Sequence, residues 1–232
     1  MNISLEAITE SFIYGIKYLP KTLALICIPL LIGLVFGTLI ALLRVYKVPV
    51  LSQLFAIFVS VYQGIPIVVA MLIYNLIYLM KCDSILKFIH STKTIADTDS
   101  IIVGLFALSL LMICSVSEVV RGAMLSIDKG QQEAAYVVGL TRVQTICRIL
   151  IPQMIPVAIP SLVNTIVGLI KATSIVYTVG IVEVLAGALV PASKKYTFFE
   201  GYLAAAFIYW LLTIMVELIC RALERKTGRF RR

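Results

Sequence analysis

Charge, histidine and paired cysteines are all scarce in this chain. Only 14% of its 232 residues are charged, whereas a soluble domain averages about 25%. So few charges cannot cover a water-facing surface, and with 61% hydrophobic residues and a mean hydropathy of +1.03 the chain reads as an integral membrane protein. The single histidine, His90, falls in a loop, and no acids pair at ligand spacing within an apolar run. A metal centre or an intramembrane enzyme therefore has no visible ligands or nucleophile–base pair. The five cysteines (Cys27, Cys82, Cys114, Cys147 and Cys220) form no C-x-x-C pair, and four lie in or beside apolar runs. They read as small buried hydrophobes rather than a disulfide framework. No G-x-x-x-x-G-K-[ST] loop is present, so ATP cannot be cradled here in the usual way. No basic residue precedes Lys17, while Glu6 and Glu10 do, which is the wrong charge for a cleavable signal peptide.

What the chain has in abundance is apolar runs. About 20 such residues cross a bilayer, and five segments qualify: roughly 22–43, 52–80, 101–124, 154–180 and 202–220. Pro29, Pro66 and Pro160 fall inside three of them, as membrane helices allow where neighbours satisfy the freed carbonyls. With the tail RALERKTGRFRR on the cytoplasmic side, five spans put the N-terminus outside. Twelve of the 20 basic residues then lie inside and seven outside, with Lys171 left within a span; the positive-inside rule favours this orientation. The formal charge of +8 thus reflects a basic anchor on an anionic leaflet rather than a nucleic-acid arm.

Between spans three and four lies QQEAAYVVGLTRVQTICRILIP, too polar to cross and too apolar for a free loop. Asp128 suits the cap of a first short helix, with Glu133 near its positive end. Gly139 suits a left-handed terminator. Thr141 and Gln144 have the spacing of a capping box restarting a second helix, and Pro152 marks the start of span four. Ala134, Ala135, Val137 and Val138 would need covering, by lipid or by a partner protein.

The same residues resemble the cytoplasmic signature of ABC importer permeases, E-A-A-x3-G-x9-I-x-L-P. Here it reads Glu133, Ala134, Ala135, Gly139, Ile149, Ile151 in place of Leu, and Pro152. The stretches ALLRVYK, QGIP, SEVVRGAM, KGQQEAA and IKATS are similar to the polar amino-acid subfamily. This resemblance implies one all-α transmembrane domain over residues 1–232, of the type I ABC importer fold, in a bacterial cytoplasmic membrane. It implies a helical coupling loop over about 126–152 that docks on a separate ATPase dimer. ATP and Mg would sit on that partner, with no cofactor on this chain. It also implies a second permease chain, identical or homologous, and an extracytoplasmic substrate-binding protein. Five spans alone enclose a solute pathway poorly, which agrees with a dimer.

Polar groups within the apolar runs are the substrate candidates. Gln63, Gly64 and Pro66 predict a kink in span two, or a bend whose glycine merely admits a close neighbour. Asn164, Lys171, Thr173 and Ser174 fall in span four, where Lys171 could meet an amino-acid carboxylate or pair with a structural acid. In relatives that carry basic amino acids the residue after this lysine is often acidic; Ala172 here favours a neutral or zwitterionic substrate, with cystine-type permeases closest. Other solutes, such as a basic amino acid, an opine or a small peptide, remain open. Glu118 with Arg121, and Glu217 with Arg221, are spaced for structural ion pairs. An ion-coupled carrier would need a mid-depth coupling acid and an internal repeat, and neither is evident.

Overall fold

The computed structural model describes residues 3–88 and 99–227. His90, Lys93 and the basic tail beyond Thr227 lie outside them. In chain order the helices are α1 (Leu5–Lys17), α2 (Leu19–Ile32), α3 (Thr38–Val45), α4 (Leu51–Gly64), α5 (Ile67–Phe88), α6 (Ile101–Leu125), α7 (Lys129–Val137), α8 (Arg142–Thr145), α9 (Ile151–Thr173), α10 (Val184–Lys195) and α11 (Phe198–Thr227). No strand occurs among the described residues.

Among the described residues, four helical runs are long and apolar enough to cross a membrane: Leu19–Val45, Ile101–Leu125, Arg142–Val179 and Phe198–Ala222. Half of the most apolar window of α6 is buried inside the protein, against 33%, 17% and 22% for the other three. Helix α6 is therefore the centre of the bundle, and the others turn much of their apolar surface to lipid or to partner chains. Span one continues through Pro29, and a π-helical turn, Gly33–Gly37, joins α2 to α3. Its two glycines lie against α6. A Cβ on Gly33 would stand 2.6 Å from the Met112 Cβ, and one on Gly37 would stand 2.7 Å from the Ile113 carbonyl oxygen. Only glycine permits two membrane helices to approach this closely.

Two expectations change. Span two, expected over 52–80 as one kinked crossing, is two helices, α4 and α5, bent by 101°. Pro66 has no N–H to donate, so the Tyr62 carbonyl accepts from Ile65 at 3.2 Å and the helix ends there. The loop expected to run to residue 152 ends earlier, because α8 continues through a π-helical turn (Ile146–Leu150) into α9 as one run of 38 residues. The cysteine reading holds in part: Cys82 and Cys114 are buried, but Cys27 and Cys147 are exposed.

Two further helices, α1 and α10, close the end of the bundle opposite α7. The Ser4 hydroxyl caps α1 by accepting from the Ala7 N–H at 3.3 Å, and Glu6 and Lys17 complement its dipole. Phe12 meets Phe207 of α11 at 5.9 Å between ring centroids, and Glu10 pairs with Lys195 of α10. At the same end Lys21 bridges to Asp99 at 3.2 Å. The Asp99 carboxyl is held below its usual value by the hydrogen bond from the Ile101 N–H, which outweighs the opposing effect of burial and is helped by the bond and charge of Lys21.

Candidate functional site: the α7 loop and the Lys171 cavity

At the α7 end the loop folds as its sequence predicts. The Asp128 carboxylate accepts from the Gly130 N–H at 3.0 Å, starting α7. Gly139 takes φ +82°, the Gly139 N–H donates to the Tyr136 carbonyl and the Leu140 N–H to the Ala135 carbonyl, both at 3.0 Å. These paired bonds close the helix end in a Schellman motif, which needs the left-handed residue at that position. Thr141 and Gln144 form the reciprocal capping box. Gln153 of α9 reaches Gln131 at 3.4 Å, tying α7 to span four. Ala135 faces inward, while Glu133, Ala134 and Gly139 are exposed, and Val137 and Val138 are 86% and 75% exposed. A rigidly capped helix thus presents bare valines outward.

Beside it stands an ion-pair network. Glu118 receives Arg121 at 2.7 Å, the pair its spacing predicts, and also Arg44 of α3 at 2.5 Å. Arg44 had no visible partner in the sequence, because its acid lies 74 residues away. Glu217 and Arg221 pair at 3.3 Å, as their spacing also predicts.

The polar residues of spans two and four do not converge on one place. Lys171 lines a cavity of about 430 Å³ between α6, α9 and the start of α5, with Ser115, Thr165, Gly168, Ala172 and Ile67. It makes no ion pair among the described residues, so the structural acid considered for it is not found there. Ser115 is the residue the sequence reading missed; nothing in its local pattern distinguishes it from other hydroxyls on α6. Thr173 is buried and donates to the Ile170 carbonyl at 2.7 Å, and Ser174 donates to the Lys171 carbonyl at the same distance. Both hydroxyls are engaged by their own helix. Asn164 lines a different cavity, with Glu217 and Arg221. Gln63, Gly64 and Pro66 are exposed at the α4–α5 break, and their neighbour Ile67 reaches the Lys171 cavity. A Cβ on Gly64 would meet nothing within 4 Å, so this glycine admits no close neighbour in the chain.

Residues 33–229 match the family described as the binding-protein-dependent transport system inner membrane component. The chain belongs to this family. It is 36% identical over 225 residues to the probable amino-acid permease YxeN of Bacillus subtilis (strain 168), covering 96% of this chain and 95% of that one. It is 31% identical over 209 residues to the L-cystine transport permease TcyL of the same organism, covering 90% and 85%. A crystal structure described as an amino acid ABC transporter with histidines superposes with a TM-score of 0.79 at 24% identity, over 97% of this chain and all of that one. The permease is thus an inner membrane component of a binding-protein-dependent transporter, with the type I importer fold.

One acid, Glu183, lies just beyond span four, before α10. Glu183 is fully buried. Its Oε1 accepts from the Leu185 and Ala186 N–H groups at 2.8 and 3.3 Å, capping α10. Its Oε2 accepts from Thr22 of α2 at 3.4 Å and from the Tyr209 hydroxyl of α11. Burial pushes the carboxyl up, while these hydrogen bonds pull the other way. One side chain therefore ties three helices together at the end opposite α7.

Proposed function

We propose that this permease imports a neutral or zwitterionic amino acid, of which cystine is one candidate, on the energy of ATP hydrolysed by a separate ATPase dimer. ATP and Mg sit on that dimer. The α7 loop docks in a groove of the ATPase, with Glu133, Ala134, Ala135 and Gly139 at the contact. Alanine lets two backbones approach, and the exposed Val137 and Val138 gain from being covered by protein. A second permease chain completes the pathway, and an extracytoplasmic binding protein supplies it. The N-terminus lies outside and the C-terminus in the cytoplasm of a bacterial cell.

The observation that carries the substrate reading is Lys171, unpaired among the described residues, beside Ser115 in the cavity of about 430 Å³. An ammonium without a counter-charge in an apolar setting attracts an anionic group, here the α-carboxylate, with the Ser115 hydroxyl as a second contact. Ala172 beside it offers no carboxylate to a cationic side chain. The likeness to a cystine permease supports the same choice.

The test is uptake of radiolabelled L-cystine and L-glutamine by the permease reconstituted with its ATPase and binding protein. Lys171→Met is expected to lower uptake at least tenfold, and Glu133→Lys and Gly139→Pro to abolish it while the permease still inserts. Best competition by arginine or lysine would overturn the substrate reading. Normal uptake by both loop variants would overturn the docking assignment, and uptake on an ion gradient without ATP would overturn the whole.

A further inference from the structure

Helices α9 and α11 border a second polar cavity, open to the outside and of about 260 Å³, lined by Pro160, Val163 and Asn164 on one side and Glu217 and Arg221 on the other. Asn164 precedes Lys171 by seven residues. At 100° per residue that returns to within about 20° of the same face, roughly 10 Å nearer the α7 end. The two cavities therefore follow one stripe of α9, and the stripe leads from the Lys171 cavity towards the α7 end.

The chemistry of this second cavity is unlike that of the first. Glu217 and Arg221 meet through one contact of 3.3 Å, with side chains 38% and 67% exposed. A guanidinium offers five donors and a carboxylate about four acceptor positions, so each keeps capacity for another partner. Asn164 makes no hydrogen bond among the described residues. The lining is thus one cation, one anion and one uncommitted amide, with Pro160 and Val163 as the apolar wall. A lone anion would be repelled by Glu217 and a lone cation by Arg221. A ligand carrying both charges close together exchanges the existing contact for two new ones.

We propose that this cavity is a second amino-acid site, nearer the α7 end than Lys171. Arg221 takes the α-carboxylate through two parallel N–H bonds, Glu217 takes the α-ammonium, and the Asn164 amide bonds to either group. The inference rests on the reading that this chain carries amino acids and adds a second station on their route. A zwitterionic lipid headgroup shares this chemistry; the common stripe with Lys171 favours the transported solute.

Equilibrium binding of radiolabelled L-glutamine and L-cystine to the assembled transporter in lipid nanodiscs, without nucleotide, tests it. Two molecules of the transported amino acid are expected per permease chain. Lys171→Met should leave one, and the double variant Glu217→Gln, Arg221→Gln should also leave one. The exchanged pair, Glu217→Arg with Arg221→Glu, keeps an ion pair on α11 and guards against misfolding; it should weaken the second site at least tenfold with the first unchanged. One molecule per chain in a wild-type transporter that still imports would overturn the second site alone. Two molecules in every Glu217 and Arg221 variant would do the same. Phosphatidylethanolamine retained by the wild type and lost from the double variant, with amino-acid binding unchanged, would give the cavity to lipid. If the Lys171→Met variant keeps both sites, the Lys171 reading fails instead.

Discussion

Replacing Glu183 should be among the most damaging single changes to stability in this permease, although the residue lies far from the α7 loop. Removing its carboxylate in Glu183→Ala strips the cap from α10, which costs about 1 kcal/mol. It also leaves the Tyr209 hydroxyl without its acceptor in the interior, at roughly 1–3 kcal/mol, and opens a void worth about 1 kcal/mol more. Thr22 loses less, since its hydroxyl still accepts from the Val184 N–H at 3.2 Å. The total is about 3–5 kcal/mol, which at roughly 2–4 °C per kcal/mol for a chain of this size corresponds to a midpoint lower by about 10 °C. Glu183→Gln keeps the shape and one acceptor oxygen, so it should cost less than half as much. The assay is thermal unfolding of the detergent-solubilised permease across pH. Because burial raises the folded-state pKa of Glu183, the folded protein holds this proton more tightly than the unfolded chain. Its contribution is fully present below the ordinary carboxylate range and is lost as pH rises through the raised value. The wild-type midpoint should fall over that window, and that component should be missing from Glu183→Gln. Equal midpoints for wild type and Glu183→Ala would refute the three-helix tie, and an unchanged pH profile in Glu183→Gln would refute the protonation argument.

Two other perturbations test the packing. Gly37→Ala pushes a Cβ to 2.7 Å from the Ile113 carbonyl oxygen and 2.9 Å from the Val116 Cβ, and it should cost about 1–3 kcal/mol of unfolding free energy, read as a lower thermal midpoint. Gly122→Ala, where a Cβ meets nothing within 4 Å, should gain up to about 1 kcal/mol; equal effects from both would refute close contact between span one and α6. Val50 sits at φ 64° and ψ −53°, with the Leu51 N–H donating to the Pro49 carbonyl at 2.7 Å, a γ-turn centred on a β-branched residue. Strain of this kind costs about 1–3 kcal/mol, and Val50 is 76% exposed, with little packing to lose. Val50→Gly should therefore raise the midpoint, and a fall would show that the turn is not strained.

Legibility in the sequence followed the range of each interaction. The α7 loop was readable almost residue by residue, because a cap, a capping box and a left-handed glycine are settled within four or five positions of chain. The pairs Glu118–Arg121 and Glu217–Arg221 were readable for the same reason. What depended on helix-to-helix register was not: Arg44 finds Glu118 across 74 residues and Glu183 finds Thr22 across 161. Span four shows the limit most clearly. Asn164, Lys171, Thr173 and Ser174 look like one polar cluster when written in a line, yet a helix turns through 100° at every residue. That rotation brings Asn164 and Lys171 onto one face, sends Thr173 into the core, and leaves each of the first two to be completed by a different neighbour, α11 for Asn164 and α6 for Lys171. The local sequence supplies the costly polar atoms, and the packing of the neighbouring helices decides which of them can meet a solute.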